Sequence, residues 1–201
     1  LPFARHAHPS YTQPVPAEDM IRWSVTAVRG CGGGCTFCSL AMHQGRRLRS
    51  RSAESVLQEV RTLTKQPQWK GAISDIGGPT ANLWGAACQA DPGECDRPSC
   101  LFPKHCPHLK LAQTAYLDLL RAARNQPGVN HVRVGSGIRY DLALEDPAFC
   151  AGLTTEFVGG QLKLAPEHSV DHVLRLMRKT DFTLFDHFRK LFAQANRKAG
   201  K

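Results

Sequence analysis

The sequence predicts an α/β fold with a parallel sheet and covering helices. Its 201 residues suffice for one hydrophobic core, and 42% of them are hydrophobic. Short apolar stretches alternate with stretches of helical periodicity, and glycine-containing loops follow the apolar stretches. This alternation is typical of parallel sheets. The predicted strands cover residues 21–28, 71–76, 131–134 and 161–164.

The predicted helices lie between and after these strands. Ser52 begins the first helix as its N-cap, because apolar residues recur at helical spacing from there to Pro67. The other predicted helices cover residues 114–124, 144–154, 170–177 and 182–199. Two segments lie outside this pattern. We expect an extended lead-in over residues 1–20, which hold four prolines, and a cysteine-rich insertion over residues 86–110.

The chain is basic, with a net charge of +9. Its densest basic run consists of Arg46, Arg47, Arg49 and Arg51. The charge permits an anionic partner such as nucleic acid, but a solvated basic face explains the run equally well. No apolar run approaches the roughly 20 residues that span a bilayer, so no membrane partner is expected.

The spacing of the eight cysteines indicates the redox compartment in which the protein resides. Seven of them lie in two tight groups, a spacing that fits metal ligation in a reducing compartment better than long-range disulfides. We therefore expect a cytoplasmic protein. The first residue is Leu1 rather than Met. We also expect residues 1–201 to be one domain cut from a longer polypeptide, whose remainder would be a partner.

The first cysteine group is a glycine-rich loop with C-x3-C-x2-C spacing, formed by Cys31, Cys35 and Cys38. Glycine reaches the backbone angles that let thiolates converge on one inorganic cluster. A structural cluster or zinc site usually takes four protein ligands, whereas this loop offers three. The pattern predicts a 4Fe–4S cluster with one iron left open, which is a catalytic feature. Zinc with a fourth ligand from elsewhere in the chain is the alternative.

Four loops follow the predicted strands and carry unusual residues. They cover residues 31–38, 77–80, 135–139 and 165–168. Ligands of parallel α/β sheets bind at the carboxyl ends of the strands. These loops are therefore the predicted site.

Residues 29–38, RGCGGGCTFC, resemble the signature of the radical S-adenosylmethionine (SAM) superfamily, in which an aromatic residue such as Phe37 commonly precedes the last cysteine. Further stretches resemble the YgiQ family of that superfamily and run along nearly the whole chain. They are PFARHAHPSY at 2–11, SDIGGPTAN at 74–82, SGIRYDLALEDP at 136–147 and LKLAPEH at 162–168. Gly32 departs from the pattern, since a bulkier apolar residue is expected there.

The resemblance implies a partial (β/α) barrel of the radical SAM type, whose remaining strands would lie beyond Lys201. It also implies an enzyme. A 4Fe–4S cluster would reductively cleave S-adenosylmethionine to methionine and a 5′-deoxyadenosyl radical, which abstracts hydrogen from a substrate. An external electron donor would be required. The sequence identifies neither the substrate nor a catalytic residue.

The resemblance further implies how S-adenosylmethionine binds. The residues that would receive its amino group are Gly77, Gly78, Pro79 and Thr80. Ser136 and Arg139 would bind its carboxylate, and Glu167 would hold the ribose hydroxyls. Each assignment has a structural alternative. The glycine pair could form an ordinary turn, Arg139 could pair with Asp141 at the surface, and Glu167 could cap a helix.

The second cysteine group lies in the predicted insertion and consists of Cys88, Cys95, Cys100 and Cys106. Four thiolates in an irregular loop can bind zinc or an auxiliary iron–sulfur cluster. The alternative is a mobile loop with free thiols, which would be open to oxidation. Cys150 lies in a predicted helix and is expected to be a small buried hydrophobic residue.

Two other functions fit parts of the sequence. A non-catalytic iron–sulfur electron carrier would need no open iron. A zinc-bound RNA-binding module would account for the basic charge and the second cysteine group. Aromatic residues that could stack on bases make up only 7% of the chain, which weakens the second alternative.

Overall fold

A computed structural model describes residues 9–90 and 95–200. The helices are α1 Pro16–Ile21, α2 Leu40–Gln44, α3 Ala53–Leu63, α4 Gln113–Arg124, α5 Tyr140–Ala143, α6 Pro147–Phe157, α7 Asp171–Leu176 and α8 Phe182–Lys198. The strands are β1 Ser24–Thr26, β2 Val28–Arg29, β3 Arg49–Ser50, β4 Ala72–Ile73, β5 Asp75–Gly77, β6 Ala87–Cys88, β7 Leu109–Lys110 and β8 His131–Val132. A 3₁₀ turn covers Ala81–Leu83. The predicted α/β class is confirmed.

The parallel pairing centres on the second predicted strand, which Ser74 divides into β4 and β5. Strand β1 pairs with β5, and β8 pairs with β4, both in parallel. The Ser74 N–H also donates to the Trp23 carbonyl, and the Arg133 N–H donates to the Ile73 carbonyl, each at 3.0 Å. The first and third predicted strands therefore flank the second. The sheets are short, and within the described residues they do not close into a barrel.

Two smaller antiparallel pairs lie beside this unit. Strand β2 pairs with β3 and closes residues 30–48 into a loop that carries the first cysteine group. Strand β6 pairs with β7 and closes the predicted insertion at its base, with Cys88 opposite Leu109. Both cysteine groups thus lie in loops held shut by strand pairing.

The fourth predicted strand, residues 161–164, is wrong. The structure has irregular backbone there, and a backbone hydrogen bond joins it to the rest at 3.4 Å, from Ile138 N–H to the Lys163 carbonyl. Leu162 and Leu164 nevertheless pack against the core. The alternation of polar and apolar residues here therefore corresponds to a half-buried loop and not to a strand.

The lead-in prediction also needs correction. Residues 1–8 lie outside the described residues, but Pro16 begins helix α1. Proline suits the first position of a helix, because its φ is already helical and its missing N–H is not needed there. The prolines therefore do not make residues 16–20 extended.

Local signals explain where the longer helices begin. The Ser52 hydroxyl accepts from the Ser55 N–H at 3.2 Å, which confirms the predicted N-cap. The Asp146 carboxylate accepts from the Phe149 N–H at 2.9 Å, directly before Pro147. This second start signal begins α6 at Pro147, within the predicted helix 144–154, whereas α5 at Tyr140–Ala143 was not predicted.

Helices α3, α4, α6 and α8 pack around the parallel strands. Their buried residues join Val25, Ile73, Ile76 and Val132 in one core, whose burial is the main favourable term in folding. In the parts of the chain that the structure describes, no helix has both the length and the apolar character needed to cross a membrane.

Asn82 connects the loops that follow β5 and β8. Its side chain is fully buried. The amide oxygen accepts from the Arg139 N–H at 2.9 Å, and the amide nitrogen donates to the Arg139 carbonyl at 3.0 Å and to Gln113 Oε1 at 3.1 Å. Asn82 therefore fixes the position of Arg139.

Replacing Asn82 with alanine should lower the free energy of unfolding by about 3 kcal/mol, because it leaves buried polar groups without partners. Urea unfolding of the intact protein measures this. Asn125→Ala, at an exposed position after α4, is the control and should change stability by less than about 0.5 kcal/mol. Similar losses in both variants would contradict the role given to Asn82.

Candidate metal centre

The first cysteine loop is held from two sides by distant segments. On one side, the Cys100 N–H donates to the Gly32 carbonyl at 2.8 Å. On the other, the Thr36 hydroxyl donates to the Leu176 carbonyl at 2.9 Å, and the Thr36 N–H to Met177 at 3.3 Å. The insertion and the end of α7 therefore define the shape of the loop.

Two thiols of this loop, those of Cys31 and Cys35, face the bare side of Gly33. A methyl group placed on Gly33 would lie 3.3 Å from Cys31 Sγ and 3.6 Å from Cys35 Sγ. The Gly33 N–H also points at Cys31 Sγ, at 3.4 Å. Cys31 and Cys38 both lie close enough for their charges to raise the pKa of Cys35. The missing side chain leaves room beside these sulfurs, as a cluster held by three thiolates would require.

Nowhere in residues 9–90 and 95–200 are three or more His, Cys, Asp or Glu side chains placed to bind a metal ion directly. The three thiols are free, and each is partly exposed. Burial raises the pKa of the Cys35 thiol, while the charges of Lys179 and Arg139 oppose that rise. The neighbouring cations thus favour the thiolate form that binds metals.

These two cations are almost completely buried. Lys179 is 5% exposed and Arg139 is 9% exposed. Burial lowers the pKa of Lys179, and the charge of Arg139 lowers it further. A methyl group on Gly33 would lie 3.9 Å from Arg139 Nη1, so the guanidinium reaches the cysteine loop. Two buried positive charges therefore lie near Cys35.

Arg139 also makes the carboxylate pair that its structural alternative required. Its Nε donates to Asp141 Oδ1 at 2.9 Å, and its Nη2 pairs with Asp141 Oδ2. The pair is buried rather than at the surface, however, and Nη1 faces Gly33. The two interpretations of Arg139 are compatible, since one edge of the guanidinium binds Asp141 and the other reaches the loop.

Glu167 does not cap a helix. Helix α7 follows Val170, whose N–H donates to His168 Nδ1 at 3.0 Å. Glu167 instead lies 3.8 Å from the Lys179 ammonium. Its φ of +73° is in the left-handed region, which costs a non-glycine residue about 1 kcal/mol or more. That backbone turns Glu167 toward the buried lysine.

The glycine pair after β5 is enclosed by its neighbours. A methyl group would lie 2.0 Å from Ser136 Oγ on Gly77 and 2.1 Å from the Val28 carbonyl on Gly78. The Gly77 carbonyl accepts from the Ala27 N–H at 2.7 Å, so the sheet already uses it. Gly78 and Pro79 are half-buried.

Thr80 is buried, and its carbonyl accepts from the Leu83 N–H at 3.2 Å. Like that of Gly77, its carbonyl already has a partner. Of the four residues predicted to receive an amino group, Gly78 and Pro79 therefore retain the more accessible position.

Ser136 lies at a different place from Arg139. Its hydroxyl faces Gly77, and its N–H donates to Asp75 Oδ1 at 3.0 Å; the Gly135 N–H donates to the same oxygen at 2.8 Å. Burial raises the pKa of Asp75, and these two N–H groups oppose the rise. Ser136 and Asp75 are therefore joined by hydrogen bonding next to Gly77.

Sequence reasoning missed Asp75, Asn82 and Lys179. Asp75 was recognisable as a carboxylate inside an apolar strand, which is an unusual position. Asn82 and Lys179 gave no such signal, because their burial depends on tertiary contacts.

The second cysteine group lies directly beside the first. A methyl group on Gly32 would lie 3.2 Å from both Cβ and Sγ of Cys100. Cys88 and Cys95 are exposed, and Cys106 is buried. This contact explains why Gly32 stands where a bulkier residue was expected, since the insertion occupies that space.

Asp75→Asn should remove part of the pH dependence of stability. The pKa of Asp75 is raised above 3.8 in the folded protein, so the folded state binds this proton more readily than the unfolded chain. Its contribution to stability therefore falls as the pH rises from 3.8 through the folded pKa. Asparagine keeps an acceptor oxygen but cannot ionise. In urea unfolding between pH about 4 and 7, the free energy of unfolding of the wild type should fall with rising pH relative to that of Asp75→Asn. Parallel pH dependences in the two proteins would contradict the prediction.

The chain is similar over its whole length to proteins named UPF0313. It is 46% identical to one from Methanosarcina acetivorans over 203 residues and 47% identical to one from Bradyrhizobium diazoefficiens over 206 residues. A third, from Pseudomonas syringae pv. tomato, is 45% identical over 205 residues. No protein-family model matches the chain. All of the chain is covered in each case, but it spans only 27% to 30% of the length of these three relatives.

Proposed function

We propose that this chain is part of a radical SAM enzyme of the YgiQ type, in which Cys31, Cys35 and Cys38 hold a 4Fe–4S cluster. The observation that carries the proposal is that the Cys31 and Cys35 thiols face the bare side of Gly33, with Cys38 and two buried cations near Cys35. With S-adenosylmethionine, such a cluster supplies one-electron cleavage of the sulfonium C–S bond, which yields methionine and a 5′-deoxyadenosyl radical able to take hydrogen from a substrate.

Arg139 and Lys179 balance the negative charge of this site. Thiolates and an S-adenosylmethionine carboxylate would place several anionic groups in a partly buried space, where unpaired charge is costly. The pair between Lys179 and Glu167 spans 3.8 Å, longer than a direct hydrogen bond. Lys179 can therefore turn its ammonium toward a ligand carboxylate at little cost.

The residues that we assign to the S-adenosylmethionine carboxylate differ from those expected from the sequence. Arg139 Nη1 and Lys179 lie beside the cysteine loop, whereas Ser136 faces Gly77 and Asp75. We assign the carboxylate to Arg139 and Lys179. Glu167 lies next to that lysine and is kept as the residue for the ribose hydroxyls. Gly78 and Pro79 are kept for the amino group.

The wider fold belongs to the same proposal. Parallel strands in which the first and third flank the second are how a (β/α) barrel begins. Other parts of the longer polypeptide would complete the barrel and help to exclude water from the radical. An external donor supplies the electron, in a reducing compartment such as the cytoplasm. The substrate is left open.

Cys35→Ser should abolish release of 5′-deoxyadenosine and lower the bound iron by about four atoms per protein, because two thiolates cannot retain the cluster. The intact protein is reconstituted with iron and sulfide without oxygen, reduced with dithionite and assayed for both. Cys150→Ser is the matched control, since Cys150 is buried elsewhere and donates to the Ala143 carbonyl, which serine can also do.

Three results would contradict the proposal. Zinc in place of iron at the first group would favour a zinc-binding module. A brown, reducible protein that leaves S-adenosylmethionine intact would favour an electron carrier. Full release of 5′-deoxyadenosine by Cys35→Ser would exclude this loop as the site of the cluster.

Lys179→Met should weaken binding of S-adenosylmethionine to the reconstituted protein by about tenfold to a hundredfold, the loss expected for a charged hydrogen bond. Methionine keeps much of the apolar stem while removing the charge. Anaerobic equilibrium dialysis measures the affinity. Lys190→Met, on the exposed part of α8, should bind as the wild type does. Equal affinity in both variants would remove Lys179 from the site.

A further inference from the structure

We propose that Cys88, Cys95, Cys100 and Cys106 hold a second iron–sulfur cluster, beside the first cysteine loop. The strand pair β6–β7 fixes the base of this segment, and the Gln89 N–H donates to the His108 carbonyl at 2.8 Å just beyond it. Further in, the Cys106 N–H donates to the Cys100 carbonyl at 2.8 Å. The backbone thus gathers the segment into a compact loop.

Three of the four cysteines line one cavity. A cavity of about 430 Å³ is lined by Cys88, Cys95 and Cys100. Cys106 lies behind, 4% exposed. The hydrogen bond between the Cys106 N–H and the Cys100 carbonyl holds these two cysteines close together. The cavity lining and this hydrogen bond therefore connect the four cysteines.

The cavity also has a basic wall. Arg46, Arg47 and Arg49 line it together with Cys88, Cys95 and Cys100. An iron–sulfur core bound by four thiolates is anionic and needs positive charge nearby. The densest basic run of the sequence thus faces the cysteines.

The volume favours a cluster over zinc. Zinc draws four thiolate sulfurs to about 2.3 Å from one point, which leaves no room between them. Here the thiols border a space of about 430 Å³, large enough for a core of iron and sulfide. His105 Nδ1 lies 3.0 Å from the Glu145 carboxylate, and its buried Nε2 has no hydrogen-bond partner among the described residues, so this histidine retains a nitrogen able to bind a metal. The four cysteines by themselves nevertheless form the all-thiolate ligand set that iron–sulfur clusters prefer.

The two cysteine groups meet at the backbone of Gly32 and Gly33. Gly32 contacts Cys100, and Gly33 contacts the thiols of Cys31 and Cys35. If the first group holds a cluster, as the proposed function requires, the two clusters would lie close enough to interact magnetically. The second cluster itself does not rest on the proposed function.

The test uses the intact protein with Cys31, Cys35 and Cys38 all changed to serine, reconstituted without oxygen. We expect about four iron and four sulfide per protein to remain, with an electron paramagnetic resonance signal after reduction. Adding Cys95→Ser and Cys100→Ser to this variant should abolish both the bound iron and sulfide and the paramagnetic signal. Retention of zinc instead of iron, or loss of all iron in the first variant despite native circular dichroism, would overturn the proposal.

A second variant keeps the test informative if the first does not fold. Cys95→Ser with Cys100→Ser, in the otherwise native protein, should lower bound iron from about eight atoms to about four and narrow the paramagnetic signal of the reduced protein. Unchanged iron would overturn the second site. Complete loss of iron from this variant alone, with the triple variant retaining its iron, would instead contradict the proposed function. Cys150→Ser should match the native protein.

Discussion

The backbone from Gly32 to Gly34 passes close to its surroundings and leaves little space for side chains. Gly32 lies against Cys100, Gly33 against the thiols of its own loop, and Gly34 against Pro98. A methyl group on Gly34 would lie 2.1 Å from the Pro98 carbonyl, and the φ of Gly34 is +61°. Glycine alone adopts this conformation without strain. The contact between the two cysteine groups depends on this stretch, as does the room beside the first group.

Buried charge is the second constraint on the site. Lys179 and Arg139 would be costly to bury without anionic partners. Asp141 and Glu167 provide only part of that compensation, because Glu167 is 3.8 Å from the lysine and Arg139 Nη1 reaches toward the cysteine loop. The remaining field is directed at the thiols, where it favours thiolates. Because their own carboxylates compensate these cations only in part, the cations favour an anionic group at the loop.

Much of the fold follows from local sequence patterns, and each incorrect prediction has a clear physical cause. Ser52 capped α3 as predicted because capping needs only a few neighbouring residues. Residues 161–164 alternate like a strand, yet strand formation needs a ladder partner, which apolar spacing cannot supply. The loops 77–80 and 135–139 were correctly brought together, since parallel strands end at the same edge. The buried status of Asn82 and Lys179 could not be predicted, because it comes from segments far apart in the chain.

Contacts with segments far along the chain also explain how a glycine-rich loop can hold a defined shape. Three consecutive glycines lose much conformational entropy when they become ordered. Local sequence offers nothing to offset that loss. The partners come instead from 66 residues away, where the Ser99 hydroxyl donates to the Gly33 carbonyl, and from 140 residues away, at Leu176. The loop is therefore ordered only when the insertion and α7 are in place. These contacts link the folding of the domain to the placement of the thiols, so that changes in either distant segment act on them.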